Sequence, residues 1–247
     1  MYKVNRGLKE WQLEPNLFYL RFLEVCNTFN INTFDVEFYS QQDEDKYIIQ
    51  YLLKEEIKDG TFLEIGGCDG VLFSNTKTLE DHFGFTGVLI EPQPEFYSQL
   101  VKNRPNCKCY NYAVSNTDDE EIEFIGDNAE GGIKSITNTD LSKFPEWNTY
   151  KVKNKKMHNI IEESGLKYID FMIIDVEGSE LEVLKSIDFS FPIFCIIIEA
   201  HSCEQEKNKI FGSYLKSKGF KFKERQRGNE IWLNHDYIRK QHFNTEY

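Results

Sequence analysis

A chain of 247 residues with 40% hydrophobic and 15% aromatic content is long and apolar enough to bury one large core, which excludes a disordered polypeptide. A net charge of −12 and a pI near 5.0 argue against a broad phosphate-backbone footprint and so against DNA or duplex RNA as a partner. Six cysteines occur without a C-x-x-C pair, which reads as reduced thiols in a cytoplasmic protein. The N-terminus leads to no apolar signal core, and the most hydrophobic run, Phe189 to Ile198, is too short to span a bilayer and holds Pro192. No membrane association is expected.

Residues 1–37 precede the sheet and carry apolar residues at near-helical spacing, predicting a helix around 14–28 in an N-terminal extension. The main domain is expected over 38–247. It opens with a polar cluster in which Ser40 is a candidate N-cap, with Asp43, Glu44 and Asp45 in the first turn of a helix that continues through 46–53. Strand one is predicted over 61–65, a helix from Ser74–Thr76 to Gly84, and strand two over about 86–91. Pro92 and Pro94 admit a helix over 95–103, followed by a strand over about 107–114 and an alternating one over 120–125. The stretch 126–156 reads as irregular apart from a basic, strand-like 150–156; it is either a substrate wall or a solvated excursion.

A helix over 157–164 ends at Gly165, and 168–175 reads as a buried strand. A helix follows with Leu181, Leu184 and Ile187 on its apolar face, then a strand over 193–199, a helix over 204–218 and a hairpin around Arg227-Gly228-Asn229. Strands alternating with helices predict a mainly parallel sheet, and the hairpin makes the last strand antiparallel.

One stretch carries the chemistry: Thr61-Phe-Leu-Glu-Ile-Gly-Gly-Cys-Asp-Gly70. An apolar strand breaks on glycines that permit positive φ and close approach of a ligand to the main chain. Read from Glu64 the pattern is E-x-G-G-x-D-G rather than G-x-G-x-x-G, and an acid at the strand end suits a cationic or hydroxylated ligand better than a pyrophosphate. Glu91 ends the second strand, where an acid commonly takes ribose hydroxyls. S-adenosylmethionine offers a sulfonium, an ammonium and a ribose diol. A nicotinamide dinucleotide would want the same Glu91, so an NAD-type oxidoreductase stays open, as does a non-catalytic binding module. Small Ala113 leaves room for a flat ring such as adenine, though ordinary packing explains it equally well.

Three segments resemble the FkbM methyltransferase family: Tyr39-Ser-Gln with Asp45-Lys-Tyr-Ile48; Phe62 to Gly70 with Phe73-Ser-Asn-Thr76; and Ile174-Asp-Val-Glu-Gly-Ser-Glu180 with Leu184. The resemblance covers roughly 38–235 and implies an α/β, Rossmann-like methyltransferase fold: a mainly parallel seven-stranded sheet with an antiparallel last strand and helices on both faces. It also implies an S-adenosylmethionine-dependent O-methyltransferase acting on a hydroxyl of a sugar, glycan or related small molecule, with RNA cap methylation as the alternative. Cys68 stands where many methyltransferases carry a middle glycine. On this resemblance Glu64, Gly66 and Gly70 shape the pocket for the methionine half, joined by Ser40, Gln41 and Asn75. Glu91, with Pro92 beside it, takes the ribose diol, and the backbone of 111–114, including Ala113, borders adenine. For the chemistry, Asp175, Glu199 and His201 follow from their places at or just after the ends of adjacent strands. Asp175 or His201 would act as general base, or the three would hold a divalent metal that acidifies the acceptor hydroxyl.

Overall fold

The computed structural model describes residues 17–55, 57, 59–127, 130–137, 141–143, 146–200 and 205–237. In chain order the strands are β1 (Thr61–Ile65), β2 (Thr86–Ile90), β3 (Lys108–Tyr110), β4 (Ala113–Val114), β5 (Glu121–Asp127) and β6 (Glu130–Ile133). They continue as β7 (Asn148–Lys155), β8 (Ile169–Ile174), β9 (Ile193–Glu199), β10 (Lys221–Gln226) and β11 (Asn229–Leu233). The helices are α1 (Leu17–Phe29), α2 (Glu44–Glu55), α3 (Lys77–Phe83), α4 (Pro94–Asn103), α5 (Met157–Ser164), α6 (Glu180–Lys185) and α7 (Gln205–Ser217).

Seven strands form the main sheet in the order β10-β11-β9-β8-β1-β2-β3. β3, β2, β1, β8 and β9 are parallel; the last strand, β11, is inserted antiparallel between β9 and β10. The central strands are apolar on both sides because both sides are covered. Phe62, Phe171 and Ile173 face a cluster with Phe22, Val25 and Cys26 of α1, Ile48 of α2, Leu79 of α3 and Leu100 of α4. Their neighbours in sequence, Leu63, Met172 and Ile174, face Ile160 of α5, Val183 of α6 and Phe211 of α7. Helix α1 therefore shares the core of the sheet rather than standing off it. Gly84 and Gly165 end α3 and α5 in the left-handed conformation, at φ 71° and 72°.

Two expectations are corrected. The strand expected over 107–114 is two strands in different sheets, broken at Asn111 and Tyr112. The Asn111 side-chain amide donates to the carbonyls of Glu91 (2.8 Å) and Pro92 (2.9 Å), replacing ladder bonds at the end of β2. The stretch 126–156, read as irregular apart from the strand-like 150–156, supplies β6 as well as β7 to a second, four-stranded sheet in the order β4-β7-β5-β6. Its register sets Glu121 opposite Lys153 and Glu123 opposite Lys151, so the lysines of β7 meet acids across the ladder. Ala113, Phe124, Ile133 and Val152 form its small inner cluster.

Candidate active site

Because β1, β2, β8 and β9 run parallel, their carboxyl ends meet at one edge, and β1 sits where the chain's path across the sheet reverses. The turn after β1 is locked to both neighbours. The N–H groups of Gly66 and Gly67 donate to the Ile90 carbonyl at 3.0 Å, and the Asp175 N–H donates to the Ile65 carbonyl at 3.3 Å. Gly66 has φ +85°, and a Cβ there would stand 2.1 Å from the Asp175 carbonyl oxygen, so this position tolerates only glycine. Cys68, at φ +47°, turns its N–H onto Glu91.

The two strand-end acids go different ways. Glu91 lines a cavity of about 630 Å³. Its carboxylate accepts from the N–H of Cys68 (2.9 Å) and of Gln93 (2.8 Å). Burial raises the Glu91 carboxyl to about 7 against the pull of those two donors. Glu64 does not reach the cavity. The two-residue period of β1 puts it on the same face as Phe62, beneath α3 and α4. There it accepts from the Asn75 N–H (2.7 Å), Ser74 Oγ (3.1 Å) and Thr76 Oγ1. Burial raises its carboxyl, opposed first by the charge of Arg104.

Arg104 is fully buried and ties this corner together. Its guanidinium donates to the Gly70 carbonyl (3.1 Å), Ser74 Oγ (3.1 Å) and Thr76 Oγ1 (3.0 Å), pairs with Glu80, and lies over the Phe62 ring. Gly70, at φ +83°, leaves room for it: a Cβ there would stand 2.7 Å from Arg104 Cγ. Gly70 thus serves the back of the loop and not the cavity wall. Arg104 was not singled out from the sequence, where a lone arginine after a helix reads as a solvated cap. The clue was the polar run Ser74-Asn-Thr-Lys-Thr-Leu-Glu80, too rich in acceptors to be buried without a cation.

Of the other predicted residues, Gln41, Asn75, Pro92, Ala113 and Asp175 line the same cavity. Ser40 instead donates to Asp45 Oδ1 (2.6 Å) and accepts from the Asp45 N–H (3.3 Å), the capping role expected of it. Asn75 is only 8% exposed, and its amide oxygen has no hydrogen-bond partner. A buried acceptor without a donor is costly, and this oxygen is itself occluded although the residue borders the cavity. The far wall comes from the second sheet and the approach to β7: Phe124, Ile133, Glu146 and Trp147.

Asp175 opens onto the cavity, and one carboxylate oxygen each from Asp175, Glu177 and Glu199 lie within 4.8 Å of one another. Burial, then the neighbouring acids, pushes Asp175 and Glu199 well above the usual carboxylate range; Lys207 opposes this at Glu199. Lys207 itself pairs with Glu180 at 2.5 Å. Crowding of this kind favours protonated carboxyls at Asp175 and Glu199, and the oxygens of the cluster are close enough to share a divalent cation. Glu199 is not among the residues of the cavity wall, and His201 lies outside the described residues.

The sequence matches the family model of the FkbM methyltransferase domain over residues 64–222, and no curated protein matches it. Among solved structures, the chain is similar to an O-methyltransferase from Bacillus cereus in complex with SAH, at 12% identity over 92% of this chain and 93% of that one, with a TM-score of 0.41. It is also similar to a TehB-like SAM-dependent methyltransferase from Corynebacterium glutamicum, at 9% identity over 87% of this chain and 96% of that one, with a TM-score of 0.39. A third is Aeropyrum pernix fibrillarin in complex with natively bound S-adenosyl-L-methionine, at 13% identity over 71% of this chain and 66% of that one, with a TM-score of 0.38. Likenesses this remote assign neither substrate nor site residues. The family match, which spans well over half of the sequence and runs from the glycine turn through the Asp175 turn to the closing hairpin, is decisive: the chain belongs to the FkbM methyltransferase family.

Proposed function

We propose that the protein is an S-adenosylmethionine-dependent O-methyltransferase acting on a hydroxyl of a sugar, glycan or related small molecule. The observation that carries the donor is one cavity at the carboxyl ends of β1 and β2 that gathers Glu91, Gln41, Asn75, Asp175 and the Gly66 turn, in a chain of the methyltransferase family. Gln41 and Asn75 would hold the methionine end, Glu91 and Pro92 the ribose, and the small side chain of Ala113 would admit the adenine. Glu64 and Gly70 act one step back, with Arg104, by fixing the loop that presents Asn75.

When bound, S-adenosylmethionine supplies an activated methyl carbon. The protein then has to align an acceptor hydroxyl and take its proton. Asp175 is the base we assign, since it faces the cavity and its surroundings raise its proton affinity toward that of an effective base. Glu199 is a neighbouring acid that tunes Asp175, and His201 is the other candidate base. The convergence of Asp175, Glu177 and Glu199 favours a second reading, in which a divalent cation on these oxygens acidifies the hydroxyl. Dialysis against EDTA separates the two: proton transfer to Asp175 alone leaves turnover intact, whereas a cation-assisted reaction is lost and returns with Mg²⁺. The five cysteines among the described residues are free thiols, which suits a cytoplasmic setting. Among the described residues no helix is long and apolar enough to cross a membrane.

The reading is tested by calorimetry with S-adenosylmethionine, followed by assay of S-adenosylhomocysteine release with a panel of glycosides. Binding with turnover on a hydroxylated acceptor supports it. No heat of binding at millimolar donor removes it.

A further inference from the structure

We infer that Asn229, in the turn of the closing hairpin, is a positioning residue for the donor: through Glu44 it fixes the short segment that carries Gln41 to the rim of the cavity. The inference rests on the donor reading above, in which Gln41 holds the methionine end. Gln41 is exposed where it lines the cavity, so packing around its own side chain does little to fix it. Its neighbours are tied down instead, and to different parts of the protein. On the N-terminal side the Tyr39 and Ser40 N–H groups donate to Asp45 Oδ2 (2.7 and 3.2 Å), and Ser40 bridges to Phe73 in the loop between β1 and α3. The C-terminal side is held by the turn between β10 and β11. There the Gly228 N–H donates to Gln42 Oε1 (3.0 Å), the Asn229 side-chain amide donates to Glu44 Oε1 (2.7 Å), and Arg227 pairs with Asp43 at 2.5 Å. The Glu44 carboxylate completes the link by accepting from the Gln42 N–H at 2.9 Å.

These contacts are not equal. The Arg227 side chain is 49% exposed, and an ion pair so open to water contributes little. Asn229 and Glu44 are both buried, and burial raises the Glu44 carboxyl, so its ionised form depends on the donors bonded to it. Asn229 is therefore the contact whose loss frees the segment most, because it leaves a buried acceptor without its side-chain donor. Asp43, between Gln42 and Glu44, holds φ +66°, a conformation uncommon outside glycine that persists where contacts on either side impose it. The turn is itself anchored. The Gly228 carbonyl accepts from the Ala200 N–H at 2.7 Å, and Asn229 stands opposite Glu199 in the ladder, so the hold on the segment starts from the sheet and not from a free hairpin tip.

The test titrates S-adenosylhomocysteine by calorimetry into the full chain, Asn229→Ala, Gln41→Ala and the double variant. Asn229→Ala should weaken binding about three- to tenfold. The double variant should bind as Gln41→Ala does, within about twofold, because a contact that acts through Gln41 has nothing further to lose once Gln41 is gone. A merely structural contribution would add to the effect of Gln41→Ala. Additive losses, or wild-type affinity in either single variant, would overturn the inference while S-adenosylhomocysteine binding to the wild type keeps the donor reading. Where Asn229→Ala does not fold, Gly228→Ala takes its place in the same cycle with the same expected outcomes: its Cβ would stand 3.0 Å from Gln42 Oε1 and press on the same segment without emptying a buried contact. Failure of S-adenosylhomocysteine to bind the wild type removes the donor reading, and this inference with it.

Discussion

The two halves of the cavity solve opposite problems. On the donor side the buried charges are matched: Glu64 and Glu80 meet Arg104, and Ser74 and Thr76 fill the remaining positions. On the acceptor side Asp175, Glu177 and Glu199 crowd one another, and burial raises the proton affinity of two of them. A satisfied network fixes a geometry, whereas a crowded one stores reactivity. On the assignment proposed above, the donor loop is rigid and the acceptor edge exchanges a proton. The same element type, an acid at or near a strand end, performs both tasks, and only the identity of its neighbours differs.

Breaking the donor side should have the largest effect. Arg104→Met leaves the Glu64 and Glu80 carboxylates buried without their cation, and we expect about 3–5 kcal/mol of lost stability in urea or thermal unfolding. A loss under about 1 kcal/mol would mean the network is not what holds the loop. Next comes the acceptor side. Asp175→Asn keeps the shape and removes the base, so turnover should fall about 100-fold or more while S-adenosylhomocysteine affinity changes by no more than about threefold. If binding and turnover fall together, Asp175 belongs to the donor half instead.

Glu91 lies between the halves and sharpens the contrast. Glu91→Ala should weaken donor affinity several-fold, through lost hydrogen bonds to the diol and a loosened Cys68 turn. Wild-type affinity should also depend on pH. The Glu91 carboxyl, raised to about 7, faces the main-chain N–H groups of Cys68 and Gln93 and the Cys68 thiol. Its folded-state value lies above that of an unfolded carboxyl. The free protein therefore loses stability as pH rises through about 7, and a diol that donates to the carboxylate binds more tightly over the same range. Calorimetry from pH 6 to 8 should show affinity rising several-fold, and a flat profile would take Glu91 out of the ribose contact.

Most of the main sheet was readable because its strands are buried on both faces and so carry unbroken apolar runs, as in Ile169–Ile174. The turn at Gly66 was readable because only glycine survives 2.1 Å from a carbonyl. The direction of Glu64 was also available, since it shares the parity of Phe62 on β1, but the motif's usual association with ligand drew attention to the cavity instead. The second sheet was hidden for a different reason. Strand patterns were legible near 120–125 and 150–156, but they pair Glu121 with Lys153 and Glu123 with Lys151 across some thirty residues of sequence, and partners that distant leave no local sign that they form one sheet. Arg104 was hidden likewise, because its acceptors come from another loop and nothing near it in sequence marks it as buried.

The central claim is that a cationic adenosyl donor meets Asn75 and Glu91 in this cavity. Titration of S-adenosylhomocysteine into the wild type and Asn75→Leu, side by side in one calorimeter, tests it most directly. The account predicts saturable binding to the wild type and at least a tenfold loss in the variant, whose fold is checked by an unchanged circular dichroism spectrum. Equal affinity for the two proteins, or no binding to either at millimolar ligand, would contradict it.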